Sequence, residues 1–67
     1  MIRILINGSE RTLESAHRID EMVAELGLIP ATLLVEHNGL ALRRSEWTTT
    51  KLSDGDRIEL LQIAAGG

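Results

Sequence analysis

The chain has 67 residues, a net charge of −3 and a hydrophobic content of 43%, with a single aromatic residue and no cysteine. This length permits one domain with an aliphatic core, and the lack of cysteine excludes disulfides, thiolate metal sites and a thiol nucleophile. The acidic balance argues against nucleic acid, and the sequence shows neither a signal-peptide pattern nor a membrane-spanning run, so we expect a soluble cytoplasmic protein.

A β-hairpin is predicted at the N-terminus. Residues 2–6 alternate so that three isoleucines share one face, which is typical of a half-buried strand. Asn7-Gly8 then favours a tight turn. The return strand, over about residues 10–14, is short and polar enough to lie at a sheet edge.

One amphipathic helix is predicted over about residues 18–26. Its apolar side chains recur at the helical positions i, i+3, i+4 and i+7, namely Ile19, Met22, Val23 and Leu26. Gly27 stands where a left-handed C-cap belongs. The carboxylates on the opposite face are expected to be plain solvated charges: Asp20, Glu21 and Glu25.

Three further strands are predicted over residues 32–37, 40–43 and 57–63. Asn38-Gly39 joins the first two, and Asp54-Gly55-Asp56 turns the chain into the third. Residues 44–50 lose periodicity and are predicted to form a loop or a 3₁₀ turn. We expect Leu52 and Trp47 to close the core, since a large aromatic side chain buries so much area.

The last strand predicts a partner-binding surface. Its apolar side chains alternate between two faces, with Leu61 and Ile63 opposite the face that the helix would cover. A single helix covers only one side of a four- or five-stranded mixed sheet, so these two side chains should remain exposed. Arg43 and Arg44 are candidates to pair with acidic residues of the same partner, although an ordinary solvated edge remains an alternative for them.

The sequence ends in Ala64-Ala65-Gly66-Gly67, which we predict to be a flexible tail. Glycine has no Cβ, so such a tail can thread a narrow channel and present the Gly67 carboxylate to the active site of another protein. The alternative is an ordinary frayed terminus. In the first interpretation Gly67 is the reactive residue and the catalyst lies on a partner.

These features together resemble a known family. They are the two Asn-Gly turns, Arg44-Ser45-Glu46-Trp47, Asp54-Gly55-Asp56-Arg57-Ile58-Glu59 and the terminal Gly66-Gly67. In this order and length they resemble the ubiquitin-like β-grasp sulfur carriers, and within them the ThiS family of thiamin biosynthesis. The resemblance implies one α+β domain over residues 1–67, with a folded body over 1–63 and a tail over 64–67.

The resemblance also implies a function. A ThiF-type adenylating enzyme would activate the Gly67 carboxylate with Mg and ATP, and sulfur drawn from cysteine by a desulfurase would convert it to a thiocarboxylate. Thiazole synthase would then receive the sulfur. The chain would be a carrier with no catalytic residue and no bound cofactor of its own, and neither His17 nor His37 is expected to hold zinc.

Three alternatives remain open at this point. The small subunit of molybdopterin synthase resembles the same fold and also ends in two glycines. A ubiquitin-like modifier would use the same activated carboxylate to join lysines of other proteins. A plain β-grasp interaction module would make no use of the diglycine.

Overall fold

A computed structural model describes residues 1–63, which form five strands and one α-helix. Each predicted element is present, with ends within a residue or two of the prediction. Two 3₁₀ turns, Pro30–Thr32 and Arg44–Glu46, accompany them. The bounds are β1 Ile2–Ile6, β2 Ser9–Leu13, α1 Ile19–Glu25, β3 Leu33–His37, β4 Leu40–Leu42 and β5 Arg57–Gln62.

The strands form one mixed sheet in the order β2-β1-β5-β3-β4. β1 and β5 run parallel, and every other neighbouring pair is antiparallel. The predicted edge position of β2 and central position of β5 are both confirmed. The β-grasp architecture expected from the sequence, a mixed sheet with one main helix, is the observed one.

Both Asn-Gly pairs form the predicted tight turns. Asn7 and Asn38 each have a φ of 49°, and the glycines after them have φ of 83° and 88°. Positive φ at both central residues is the geometry that matches the twist of the flanking strands, and asparagine tolerates it better than most residues.

The core lies between α1 and one face of the sheet. It is almost wholly aliphatic, and Leu52 and Trp47 close it with exposed fractions of 6% and 4%. The structural role predicted for both residues is confirmed. The most deeply buried side chains come from the sheet and from the helix: Ile4, Leu13, Ile19, Met22, Val23 and Ile58.

The prediction that the helical carboxylates are plain solvated charges is wrong for Glu25. Its carboxylate accepts hydrogen bonds from the backbone N–H groups of Glu14, Ser15 and Ala16 at 2.7, 3.1 and 3.0 Å. These bonds lower the pKa of Glu25 from its ordinary value. Glu25 therefore ties the chain that leaves β2 to the last turn of the helix.

The N-terminus of α1 is satisfied by backbone contacts instead of a side-chain cap. The N–H groups of Ile19 and Asp20 donate to the carbonyls of Thr50 and Trp47 at 3.1 and 3.2 Å. The segment around Trp47 is thereby joined to the helix. Within residues 1–63, no helix is long and apolar enough to cross a membrane.

Candidate functional site

The sheet face away from α1 carries an apolar surface at its β3–β5 boundary. Leu34 of β3 and Leu61 of β5 lie directly opposite each other in the ladder, with exposed fractions of 51% and 63%. Ile63, 48% exposed, remains on the same ladder because its N–H donates to the Thr32 carbonyl at 2.6 Å. We call Leu34, Leu61 and Ile63 the open-face patch.

The alternation of β5 predicts that Leu61 and Ile63 are exposed, but no pattern in the sequence predicts the same for Leu34. Alternation along β3 shows only that Leu34 and Val35 face opposite ways, and both are apolar. Which of the two is covered depends on the register with β5, which pairs Leu34 with Leu61. The exposure of Leu34 therefore follows from the pairing of β3 with β5, which the sequence of one strand alone does not show.

Two acidic residues lie beside the open-face patch. Glu36 and Glu59 pair with each other two positions along the same ladder. Because side chains alternate between the faces of a strand, both glutamates lie on the open face with Leu34 and Leu61. Both glutamates are exposed. Ala41 of β4 lies opposite Glu36 on its other side and contributes no charge.

Arg43 and Arg44 lie just past β4, and both are exposed. Arg43 follows Leu42, whose ladder partner is Val35, so it lies near the β3 end of the open-face patch. Arg44 has a partner already, because its guanidinium carbon lies 5.3 Å from the centroid of the Trp47 ring. Their place on a partner surface stays a prediction.

Asn7 joins the hairpin turn to the last strand. Its side chain accepts a hydrogen bond from the Leu60 N–H at 2.8 Å and donates one to the Leu60 carbonyl at 3.1 Å. β1 ends at Ile6, so the Asn7 amide takes the place of a strand residue beside β5. From the sequence, Asn7 is predicted only as a turn residue, since no local pattern indicates a contact with Leu60.

A polar cluster surrounds Asp56, just before the start of β5. Its carboxylate lies 2.7 Å from His37 Nε2 and accepts bonds from Ser53 N–H at 2.9 Å and Asn38 Nδ2 at 3.1 Å. Burial raises the pKa of Asp56, but the hydrogen bonds from His37, Ser53 and Asn38 outweigh burial and lower it. The cluster thus joins the end of β3, the turn after it and the segment before β5, next to the first residue of β5.

The predicted modified residue, Gly67, and the tail residues Ala64, Ala65 and Gly66 lie outside the described residues. β5 ends at Gln62, and Ile63 is the last residue described. Ile63 belongs to the open-face patch, so the chain leaves the described fold at this surface. Over residues 1–63, no group of three or more His, Asp or Glu side chains could hold a metal ion.

Comparisons with known proteins agree with one another. A sequence model of the ThiS family matches residues 4–67. The crystal structure of a thiamine biosynthesis protein (ThiS) from Geobacter metallireducens matches with a TM-score of 0.81 and 30% identity, over 98% of this chain and 100% of that one. A solution structure of a thiamine biosynthesis protein from the same organism matches with a TM-score of 0.78 and 30% identity, over 98% and 88%.

A larger protein also contains a similar segment. A thiazole synthase from Paramagnetospirillum magneticum is 27% identical over 66 residues, which is 98% of this chain. The chain spans only 20% of the length of that relative. A single polypeptide named for thiazole synthesis thus includes a stretch similar to nearly all of this chain.

Proposed function

The chain belongs to the ThiS family of thiamin-biosynthesis sulfur carriers, and on this premise we propose that its Gly67 carboxylate carries sulfur as a thiocarboxylate to a thiazole synthase. The observation that carries the proposal is the extent of the family match, which begins at residue 4 and runs through Gly66 to Gly67. The family match thus extends over both terminal glycines.

The proposed chemistry needs an enzyme partner, because a carboxylate is a poor acyl donor until one of its oxygens becomes a good leaving group. In the first step a ThiF-type adenylating enzyme, with Mg and ATP, joins the Gly67 carboxylate to AMP and releases pyrophosphate. In the second step the outer sulfur of a persulfide, formed from cysteine by a desulfurase, attacks the acyl carbon, and AMP leaves. A thiol then reduces the resulting acyl disulfide, so that the thiocarboxylate is released and the thiol is oxidised to a disulfide. The chain supplies the carboxylate and no catalytic side chain.

The thiazole synthase from P. magneticum supports the choice of acceptor. A segment similar to this chain within that polypeptide is what would be expected if carrier and acceptor act together. The solved relatives are likewise named for thiamine biosynthesis, which favours thiamin over the molybdopterin alternative. We propose that the cycle runs in the cytoplasm, where a small fold without cysteine needs no disulfides.

We further propose that partners dock on the open-face patch, with Arg43 and Arg44 at its β4 side. Gly67 is four residues past Ile63, and four residues span at most about 14 Å. A partner that acts on Gly67 must therefore place its reactive site close to this surface. Docking there would hold the body while Ala64, Ala65 and Gly66 enter the active site.

Intact-protein mass spectrometry tests the carrier function. The chain is incubated with Mg-ATP, the adenylating enzyme of the same genome and a sulfide source. We expect the mass gained when one sulfur replaces one oxygen, mapped to the C-terminal peptide. A variant lacking Gly67, and one with residues added after it, should fold normally yet gain nothing, because both displace the carboxylate and leave residues 1–63 intact.

The same experiment separates the alternatives. Sulfur on either altered terminus would refute a mechanism through Gly67. Isopeptide-linked adducts in cells, with no thiocarboxylate, would instead point to a ubiquitin-like modifier. A thiocarboxylate that a molybdopterin synthase large subunit consumes, and that thiazole synthase does not, would point to molybdopterin. Full function without Gly67 would leave a plain interaction module.

A further inference from the structure

The two Asn-Gly turns contact β5 at different points along the strand. Asn7 and Asn38 have the same φ of 49°. The Asn38 side chain accepts a hydrogen bond from the Arg57 N–H at 2.8 Å, at the first residue of β5. The Asn7 side chain bonds instead to the Leu60 N–H and carbonyl, at 2.8 and 3.1 Å. The two asparagines are therefore alike in local geometry, and they differ in the half of β5 that they hold.

The Asn7 carboxamide continues a ladder that the backbone of β1 does not continue. β1 pairs with β5 through Leu5 and Ile6, and the Asn7 N–H then donates to the Ile58 carbonyl at 2.9 Å. Beyond Ile58, in the part of the chain that the structure describes, the bonds from this hairpin to β5 are those of the Asn7 side chain. A carboxamide has both a donor and an acceptor, so it can replace a backbone peptide group at this point.

These bonds act in the plane of the sheet. A partner on the open-face patch would contact side chains on one face, which leaves the spacing between neighbouring strands to the hydrogen bonds along their edges. On one side of β5 the ladder with β3 continues as far as Leu33 with Gln62. On the other side the bonds from Asn7 are made at Leu60, three residues before Ile63. Asn7 therefore helps to determine where the described chain ends.

The short distance to the C-terminus makes that end point important. Gly67 is four residues past Ile63, and four residues span at most about 14 Å. A shift of a few ångströms at the end of β5 is a substantial part of this reach. It would lower the fraction of docked complexes in which the Gly67 carboxylate meets the reactive site of a partner, and rates depend steeply on such placement.

We propose that Asn7 is a positioning residue for the activation of Gly67. By holding Leu60, it fixes the point from which the chain runs into the active site of the adenylating enzyme. This inference rests on the proposed function. Asn7 acts through β5 and not through contact with the reacting carboxylate, so its loss should slow adenylation within the docked complex and leave docking itself almost unchanged.

The test compares wild type with Asn7→Gly, using the adenylating enzyme of the same genome. Glycine adopts the observed φ readily, so the change keeps the turn and removes the bonds to Leu60. Pyrophosphate release with Mg-ATP and saturating chain gives kcat, and calorimetry without ATP gives Kd. We expect kcat to fall about 10-fold, because the lost hydrogen bonds favour one arrangement of β5, and Kd to stay within about 2-fold of wild type.

Asn38→Gly is the matched control. It has the same backbone geometry, and it removes hydrogen bonds to Asp56 and Arg57, at the end of β5 away from Ile63. Thermal unfolding should show a lower Tm for both variants, because each loses hydrogen bonds. The kcat of Asn38→Gly should nevertheless stay close to wild type. An equal fall in kcat for both variants would mean that any loosening of the fold slows the reaction, and would overturn the proposal.

The remaining outcomes are also decisive. An unchanged kcat in Asn7→Gly, with sulfur still acquired by wild type, overturns the positioning role and leaves the carrier function standing. A higher Kd with an unchanged kcat would show that the turn contacts the partner directly, which also overturns it. A lower kcat in Asn7→Gly alone, with AMP but no sulfur on wild-type Gly67, supports the positioning role and refutes the thiocarboxylate. A wild type that is not adenylated refutes the proposed function and this role of Asn7 together.

Discussion

Asp56 illustrates how one carboxylate joins parts of the chain that are distant in sequence. His37 ends β3, Asn38 forms the turn into β4, and Ser53 precedes β5, yet all three contact Asp56. The sequence indicated a turn at this point from Asp-Gly-Asp alone. It gave no sign that the second aspartate would be the hydrogen-bond acceptor for another hairpin.

Stability should depend on pH through Asp56. Its folded pKa is lower than its ordinary value, so the stabilisation is complete above the unfolded pKa of about 4 and is lost as pH falls through that value toward the folded one. Asp56→Asn should therefore reduce the free energy of unfolding by roughly 1–3 kcal/mol near neutral pH. The difference from wild type should shrink in acid.

Urea unfolding of both proteins across the acid range checks this prediction. Glu46→Gln is unsuitable as a control, because the Glu46 carboxylate accepts a bond from the Arg43 N–H. Glu10→Gln is suitable, since Glu10 is exposed on an edge strand. A difference between wild type and Asp56→Asn that stays constant from neutral pH into acid would contradict a role for the ionised carboxylate.

At the scale of elements, β5 has a different neighbour along each half. Its first residues pair with β1 through Leu5 and Ile6, and the Asn7 side chain then bonds to Leu60. On its other side β5 pairs with β3 from Ile58 to Gln62. The half of β5 that leads to the tail is therefore held beside β1 by one amide side chain.

Asn7→Gly should loosen that half of β5 without disturbing the turn. Glycine adopts the observed φ of 49° readily, so the main loss is the pair of hydrogen bonds to Leu60. We expect a loss of roughly 1–2 kcal/mol in the free energy of unfolding, and faster hydrogen exchange at the Leu60 amide than elsewhere in the sheet. Ser9→Gly adds similar backbone freedom to the same hairpin and should not accelerate exchange at Leu60.

These elements also show what the sequence could predict. Local chemistry determined the Asn-Gly turns, the helical period and the alternation of β1, and each was confirmed. The contacts it missed join residues far apart: Asn7 with Leu60, Glu25 with the 14–16 backbone, and Leu34 with Leu61. Such contacts follow from sheet order and register, which periodicity within one segment does not contain.

At the scale of the whole molecule, one helix on a five-stranded sheet leaves the opposite face without a second layer among residues 1–63. Polar side chains cover much of that face, with Arg3, Glu10, Glu36 and Glu59 among them. Apolar side chains on this face are Leu5, which is 36% exposed, and the open-face patch, which lies where the chain leaves the described fold. Keeping apolar side chains exposed at this place is consistent with a surface used for binding.

Leu61→Asp should therefore weaken binding to the adenylating enzyme far more than it weakens the fold. Leu61 is 63% exposed, so the cost in free energy of unfolding should stay within about 1 kcal/mol, reflecting only the poor strand preference of aspartate and the lost contact with Leu34. Burying a new carboxylate against an apolar partner surface should instead raise the Kd by more than about 10-fold. Leu34→Asp should reproduce both effects, because the two side chains face each other.

Leu60→Asp provides the contrast on the same strand. Leu60 points the other way and packs against the core, so its replacement places a charge beside the aliphatic interior and should cost several kcal/mol. Urea midpoints and binding isotherms for the three variants then separate the two faces of the sheet. Equal losses of stability in Leu61→Asp and Leu60→Asp would mean that the open-face patch belongs to the folded core, since a binding surface alone cannot account for a lower urea midpoint in the free chain.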